Sequence, residues 1–350
     1  MHKRILSIGL TLALLLSMTA LLSGCSGEGE VTYNVGIVSD GNALSDNHLN
    51  QPVWEMLKEL ASEHQFQYSY AISPANDTAT FMAGIDSLVK EGGCNVIVLP
   101  GVLFTEAFTA ACAKYPDVRF IAIDCNPETV PQNGAAIVFD KSQAGFLAGY
   151  AAAVELKEAA FGGVFGSTDA QELISGFLQG IDHARSQNGA KVSSAADNFV
   201  CLDSRTSYPR GQQAAATLFD SMQVTCLLTG SDPTGMGALA EARVRRQAGD
   251  DVWAVCSDAD GHITARYDEE QDLSACLTTA MCDYAFAFRT LLEQLMEGDT
   301  APFGHANVFD LTSGGVGLPE EPVHLSEDTL EAVEAAADAI KAGDIIITVQ

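Results

Sequence analysis

The sequence predicts an α/β protein made of two successive halves, each built on a parallel sheet with helices on both faces. Two observations support this fold class. Strand-like apolar runs alternate with amphipathic helical segments along almost the whole chain, as repeated β-α-β units require. The stretch from residue 33 to residue 350 is also longer than the chain that usually folds around one hydrophobic core, which favours two lobes.

The first half contains repeated strand–helix pairs. Val53, Leu57 and Leu60 have helical spacing, whereas the residues that follow Gln65 alternate as a half-buried strand does. The predicted strands are 33–39, 66–72, 95–100 and 120–123, and the predicted helices are 50–64, 79–90 and 105–113. We assign residues 33–139, together with 257–305, to lobe 1.

The second half repeats the pattern. Its predicted helices are 142–156, 172–186, 210–222, 234–248, 282–296 and 327–341. Its predicted strands are 161–165, 191–202, 225–229, 252–256 and a last strand at 345–349. We assign residues 140–256, together with 306–350, to lobe 2, so that the chain crosses between the lobes at a hinge.

The N-terminal segment predicts export. Three basic or titratable residues precede an almost unbroken apolar run from Ile5 to Leu22, which is the layout of a signal peptide, although the run is long enough for an uncleaved membrane helix. The sequence LSGC at residues 22–25 resembles a bacterial lipobox, which implies cleavage before Cys25 and a lipid on its thiol. We therefore expect a signal peptide at 1–24, a lipidated Cys25 with a flexible tether at 25–32, and an extracytoplasmic location on the cell membrane.

Composition excludes several kinds of partner. A net charge of −28 argues against nucleic acid and against adsorption to anionic lipid.

Cys94, Cys226 and Cys256 lie in or beside apolar runs and are expected to be small buried hydrophobic residues, although a disulfide in an exported protein remains open. No CxxC motif and no Cys/His pair at zinc spacing is present, so neither a metal nor a cofactor is expected.

Carboxylates follow four of the predicted strands: Asp40, Asp124, Asp232 and Asp258. Ligands of open α/β sheets bind beyond the carboxyl ends of the strands, and carboxylates accept hydrogen bonds from hydroxyl and amino groups. Each aspartate could instead cap the next helix, and the group could hold a divalent cation, although no complete calcium-binding loop is present. Four carboxylates at equivalent positions favour one shared polar ligand.

Catalytic motifs are missing from the sequence. It contains no G-x-S-x-G elbow, no P-loop and no strand-linked G-x-G-x-x-G. None of its histidines has a catalytic or metal-binding partner at a spacing typical of a known motif. An enzyme is therefore not expected.

Several ordered motifs resemble the basic membrane protein (BMP) family of lipoproteins, which includes purine nucleoside receptors of bacterial ABC transporters. The resemblance covers essentially the whole chain after the export segment. It is carried by residues 40–57 (DGNALSDNHLNQPVWEML), 143–153 (QAGFLAGYAAA), 177–181 (FLQGI), 234–237 (TGMG), 257–260 (SDAD) and 314–318 (GGVGL). It implies a type I periplasmic-binding fold whose two Rossmann-like lobes close on a ligand.

The resemblance also implies ligand-contacting residues. Asp40, Asn50 and Asp124 match family positions at the ligand, and Asp258 matches an aspartate that engages ribose hydroxyls in the nucleoside binders. A carboxylate that accepts two hydrogen bonds from a vicinal diol makes a good charge-assisted pairing.

Four positions depart from the family pattern. Leu49 replaces a stacking phenylalanine, Arg205 falls near a second aromatic, Cys282 replaces a lysine and Asp232 replaces a glycine. A stacked base gains roughly 1–3 kcal/mol per aromatic contact in nucleic-acid sites, so these changes weaken purine binding unless Arg205, Tyr208 or Phe104 supplies a stacking surface. Arg205 could instead pair with Asp232.

The expected function is capture of a nucleoside-like solute by a monomeric, lipid-anchored receptor and its delivery to an ABC permease. A surface interaction or sensory lipoprotein that reuses the fold is the alternative from another class. A sugar, or a cationic ligand attracted by Asp232, is the alternative within the binding class.

Overall fold

A computed structural model describes residues 32–41, 44–45, 49–258 and 260–349. The chain divides into a unit at Met1–Tyr33 and a compact unit at Asn34–Gln350, and all of the described helices and strands belong to the second unit. The predicted signal peptide and Cys25 lie outside the described residues, as does nearly all of the tether. Within the described ranges, no helix combines the length and the apolar character needed to cross a bilayer.

The first sheet has six parallel strands in the order β14-β5-β4-β3-β1-β2. The central strands form because each is a short run of β-branched and apolar residues that is buried on both faces, as in Val96–Pro100. The strands are β1 Asn34–Ser39, β2 Gln67–Ile72, β3 Val96–Pro100, β4 Arg119–Ile123, β5 Gly134–Phe139 and β14 Ala306–Phe309.

Four helices cover the first sheet and complete lobe 1: α1 Asn50–His64, α2 Thr78–Lys90, α3 Thr105–Lys114 and α8 Tyr284–Met296. Phe81, Phe104 and Phe108 project from the α2–α3 side into a core with alternate strand residues. On the other side, Arg289 of α8 forms ion pairs with Glu59 and Glu63 of α1.

The second sheet runs in the order β15-β13-β10-β9-β6-β7, and β8 also pairs with β6. All of these pairs are parallel except β13 with β15. The strands are β6 Glu158–Phe165, β7 Lys191–Ser193, β8 Phe199–Cys201, β9 Cys226–Thr229, β10 Trp253–Asp258, β13 Cys276–Cys282 and β15 Val316–Gly317; β11 Arg266–Asp268 and β12 Leu273–Ser274 form a separate hairpin.

Five helices complete lobe 2: α4 Lys141–Leu156, α5 Gln171–Gln187, α6 Tyr208–Ser221, α7 Pro233–Ala248 and α9 Glu327–Ala342. Helices α4 and α5 pack closely because glycines face the partner backbone on both of them. A Cβ on Gly149 would clash with the carbonyl oxygen of Phe177, and one on Gly180 with that of Phe146. The glycine-rich motif at 143–153 is therefore a packing feature of lobe 2.

Three connections join the two lobes, and they are hydrogen-bonded to one another. The Asp140 amide between β5 and α4 donates to Phe309 O at 2.9 Å, and the Asp283 amide between β13 and α8 donates to Gly315 O at 2.8 Å. The Leu311 amide in the third connection donates to Gln143 Oε1 at 2.9 Å. These contacts form the predicted hinge from segments distant in sequence.

The strand pairing differs from the predicted lobe boundaries. Residues 257–305 were assigned to lobe 1, but β13 pairs with β10 in the second sheet. Of that range, α8 and the segment after it lie in lobe 1, where the Gly304 amide donates to Gly134 O of β5. Conversely, β14 lies within the predicted 306–350 part of lobe 2 and pairs with β5 in the first sheet. The chain crosses the hinge three times, and a linear pattern does not show which sheet a late strand joins.

Some predicted elements are also wrong in detail. The last strand at 345–349 is irregular chain, and the strand at 191–202 is two short strands separated by a 3₁₀ turn. Strand β5 was not predicted, and α8 was predicted to begin at Cys282, which is instead the final residue of β13.

Candidate functional site

The four predicted aspartates lie at the carboxyl edges of the two sheets. Asp40 follows β1 and Asp124 follows β4 in lobe 1, while Asp232 lies after β9 and Asp258 ends β10 in lobe 2. Because β1 and β4 run parallel in the first sheet, and β9 and β10 run parallel in the second, the carboxyl ends of each pair share one edge. Each lobe therefore presents two of these carboxylates at one edge.

One lysine joins carboxylates from the two lobes. Lys141 Nζ lies 2.9 Å from Asp124 Oδ2 and 3.2 Å from Asp258 Oδ1. Only 23% of the Lys141 side chain, 23% of the Asp124 side chain and 13% of the Asp258 side chain are exposed, so solvent screens these pairs only partly. Asp124 and Asp258 thus face a common space beside the hinge.

Asp258 has further partners within lobe 2 and at the hinge. Ser231 Oγ donates a hydrogen bond to Asp258 Oδ2, and the hydroxyl of Tyr284 is also hydrogen-bonded to Asp258. Burial raises the pKa of Tyr284 well above its ordinary value, and the charges of Asp258 and Asp124 add to that effect. The phenol therefore stays protonated and acts as a donor to the Asp258 carboxylate.

Asp124 and Asp258 share an uncommon backbone conformation. Their φ angles are +56° and +70°, in the left-handed region that aspartate enters more readily than most residues. In both lobes this conformation turns the chain sharply at the end of a central strand. Such local strain is often retained at functional sites.

The charges in this group shift one another's pKa values. Burial raises the pKa of Asp124; Lys141 opposes this effect, and the negative charges of Asp258 and Asp169 add to it. Burial alone would lower the pKa of Lys141, but the two carboxylates outweigh it and raise that pKa well above its ordinary value. Lys141 therefore carries a positive charge at neutral pH.

A second polar group lies around Arg205 in lobe 2. Arg205 Nη2 donates to Ser167 Oγ at 3.2 Å and forms an ion pair with Asp169. Although burial by itself would raise the pKa of Asp169, the Ser167 hydrogen bond and the Arg205 charge hold it below its ordinary value. The charge of Asp169 acts on Asp124 of lobe 1, and the charge of Lys141 acts on Asp169, so the two polar groups are electrostatically coupled.

Asp232 has a structural role in the same group. Its Oδ1 accepts a hydrogen bond of 2.9 Å from the Gly235 amide and caps α7, as the alternative interpretation of a post-strand aspartate allowed. Burial raises the pKa of Asp232. Gly166 permits this packing, because an added Cβ would clash with the Asp232 carboxylate and lie 2.7 Å from Arg205 Cα.

The lobe 1 side of the cleft is less polar. Asn50 Nδ2 donates to Asp40 Oδ1 at 3.0 Å, and the neighbouring Leu49 is buried against Gly101 at the end of β3. Gly101 O in turn accepts a hydrogen bond from the thiol of Cys125, the residue after Asp124. Leu49, Asn50 and Asp40 therefore lie at the same sheet edge as Asp124.

Phe104 cannot supply the stacking ring that was suggested for it. Its side chain is fully buried and packs against Phe81 in the lobe 1 core, with ring centroids 4.1 Å apart. Tyr208 is exposed at the start of α6, close in sequence to Arg205. Cys282 is buried at the hinge, and its thiol pKa is raised by burial, an effect that the nearby Lys141 charge opposes.

The acidic cleft residues do not form a metal cluster among the described residues. The single arrangement there with metal-ligand spacing is Glu63, His64 and Glu293, which lies between α1 and α8. The guanidinium of Arg289 forms ion pairs with both glutamates and so already supplies the positive charge in that cluster.

Lys141, the residue that joins the two lobes, was not predicted from the sequence. The signal was available, because the apolar run at 134–139 (GAAIVF) ends two residues before it. Inspection of that strand's end would have identified Asp140, which caps α4, and Lys141 directly after it.

The fold and this cleft define a class. Two Rossmann-like lobes, three hinge connections and strand-end polar residues that face one another make this a type I periplasmic-binding fold, as the sequence predicted. The chain belongs to the family described as "ABC transporter substrate-binding protein PnrA-like", whose profile matches residues 33–350. The resemblance inferred from the motifs is thereby confirmed.

Three known proteins illustrate the similarity. The "CD4+ T-cell-stimulating antigen" of Listeria monocytogenes is 24% identical over 99% of this chain and 98% of its own length. "Basic membrane protein A" of Borreliella burgdorferi is 22% identical over 96% of this chain and 94% of its own. A solute-binding protein of an ABC transporter system from Aeropyrum pernix superposes with a TM-score of 0.73 at 17% identity, covering 91% of this chain and 94% of that one.

Proposed function

We propose that this protein is a lipid-anchored receptor that captures a nucleoside-like polar solute between its lobes and delivers it to an ABC permease. The observation that carries the proposal is the convergence of Asp124 from lobe 1 and Asp258 from lobe 2 on Lys141. A cleft lined by strand-end carboxylates from both lobes suits a solute that offers several hydroxyl or amino donors.

Asp258 is the best placed group for a ribose diol. Ser231 and Tyr284 hold its carboxylate in position, so little side-chain entropy is lost when a ligand binds. Two adjacent hydroxyls can donate to a carboxylate as a charge-assisted pair. Leu49 and the Arg205–Asp169 pair replace the family's rings, and a planar guanidinium can stack on a base.

A lipid on Cys25 fits such a receptor, because it would hold the binding lobes at the outer face of the membrane beside the permease. We propose that the protein acts there as a monomer. Mass spectrometry of the N-terminal peptide of the membrane-extracted protein should show a diacylglyceryl group on Cys25, and Cys25→Ser should abolish that modification; an unmodified Cys25 in the membrane-bound protein would contradict lipid anchoring.

A calorimetric and thermal-shift panel tests the ligand. Guanosine, adenosine, inosine and uridine are compared with free ribose, glucose and arabinose. A ligand present at 100 times its dissociation constant adds about 2.7 kcal/mol to the free energy of unfolding. Stabilisation by nucleosides supports the proposal, whereas stabilisation by the sugars alone would favour the sugar receptor that the missing rings suggest.

A further inference from the structure

Lys141 occupies a position that helix electrostatics disfavour. It is the first residue of α4, directly after the capping residue Asp140. The N-terminus of a helix carries a partial positive charge, so a cation there is normally unfavourable. The carboxylates of Asp124 and Asp258 lie 2.9 and 3.2 Å from Lys141 Nζ and offset this cost. The lysine therefore interacts with the cleft and does not stabilise its own helix.

The charge balance of the cleft depends on this lysine. One ammonium group, that of Lys141, lies between the carboxyl groups of Asp124 and Asp258. Without it, two partly desolvated carboxylates from opposite lobes would face each other, with Asp169 near enough to affect Asp124. Such a space would attract a solute amine or a divalent cation, because oxygen ligands of this kind bind both.

We propose that Lys141 determines the charge class of the solute: its ammonium occupies the space in which a cation would bind, and so restricts the cleft to neutral polar solutes. This proposal rests on the proposed function in one respect: both take the cleft between the lobes as the ligand site. A neutral polyol can still donate hydrogen bonds to the carboxylates without bringing a charge of its own.

Position 282 offers an internal check. The charges that act on the buried Cys282 thiol are those of Lys141, Asp258 and Asp124, so this side chain faces the same group from another hinge connection. A lysine at 282 can therefore supply the ammonium when residue 141 is neutral.

The test uses calcium chloride as the cation probe and three variants of the whole exported chain. Lys141→Gln removes the charge, and Lys141→Gln with Cys282→Lys moves it. Lys157→Gln makes the same charge change just after the other end of α4, roughly 24 Å away at 1.5 Å per residue. Melting temperature and calorimetric heat are measured against calcium at constant ionic strength.

The expected result is a saturable calcium-dependent rise in Tm for Lys141→Gln that is absent from the wild type, from Lys157→Gln and from the variant with the relocated lysine. If calcium raises the Tm of Lys141→Gln no more than it raises the Tm of the wild type, the proposal is wrong. A calcium response that persists with lysine at 282 would also overturn it, because calcium would then be binding elsewhere.

Repulsion between the carboxylates can lower the stability of Lys141→Gln. Recovery of its Tm by calcium or by Cys282→Lys then supports the proposal, and failure of both to restore it counts against it. A wild type that binds none of the nucleosides would remove the proposed function but leave the calcium result interpretable, since that arm requires no nucleoside.

Discussion

The two lobes present the same residue type to the cleft but support it differently. Asp124 and Asp258 both end a central strand with a left-handed backbone, and both contact Lys141. Asp258 is held in addition by Ser231 and Tyr284. Next to Asp124, the thiol of Cys125 donates to Gly101 O, and Leu49 lies against Gly101.

This difference indicates that the two carboxylates have different roles in ligand binding. A carboxylate with fixed donors is preorganised for a ligand, whereas one whose charge is balanced mainly by a long lysine side chain responds more to the approach of the other lobe. We expect the lobe 2 face to define the ligand geometry and the lobe 1 face to contribute to closure. Three matched pairs of substitutions, each with one member in either lobe, test how the two lobes differ.

The largest effect is expected from Asp258→Asn. Loss of the charged acceptor removes a hydrogen-bonding partner worth about 1.5–3 kcal/mol, so guanosine affinity should fall by about 10- to 100-fold in isothermal titration. The matched substitution Asp124→Asn leaves the Lys141–Asp258 pair intact and should cost about 1 kcal/mol or less, roughly fivefold. Equal losses in the two variants would remove the distinction between the lobes.

A smaller effect concerns how the lobes are packed. Gly149→Ala on α4 would push a methyl group against the Phe177 carbonyl oxygen of α5, and backbone cannot move aside as a side chain can. We expect the free energy of unfolding in urea to fall by about 1–3 kcal/mol.

Gly84→Ala on α2 of lobe 1 is the control. Its added Cβ meets the methyl carbons Val38 Cγ1 at 3.2 Å and Ala71 Cβ at 3.4 Å, and alanine improves helix propensity by about 1 kcal/mol. We expect a change within about 1 kcal/mol of zero. A similar loss in both variants would show that the close backbone approach is not special to lobe 2.

The smallest effect is a pH dependence in lobe 1. Asp86 accepts hydrogen bonds from Lys114 and from Tyr115 Oη, and these partners, with Lys90, hold its pKa well below the ordinary 3.8. A depressed carboxyl pKa stabilises the fold above the unfolded pKa, and this contribution is lost as pH falls through the folded value. Asp86→Asn should therefore cost about 1 kcal/mol at pH 7 and progressively less below about pH 4.

Urea unfolding at several pH values measures this difference. Asp338→Asn in α9 of lobe 2 is the control, because its carboxylate is exposed and lies 3.7 Å from Lys341. A pH-independent gap between wild type and Asp86→Asn would show that the loss comes from packing rather than from the ion pairs.

The helices and central strands follow from local patterns. Residues 50–64 and 96–100 carry their periodicity in their own sequence, so nearly all of these elements lie within two residues of their predicted limits. Strand-end aspartates could likewise be located, because a polar residue after a buried strand is a local signal. Lys141 was missed because the short strand before it was not assigned, and Phe104 was misjudged because its burial depends on α2.

The sequence by itself determined the α/β class, the family and the position of the carboxylates at strand ends, because periodicity and short motifs are local properties of the chain. Tertiary structure decided which sheet β13 and β14 join, and that Lys141 lies between Asp124 and Asp258. Those outcomes depend on hydrogen bonds and charges between residues that are far apart in the chain, and no local pattern encodes such distances.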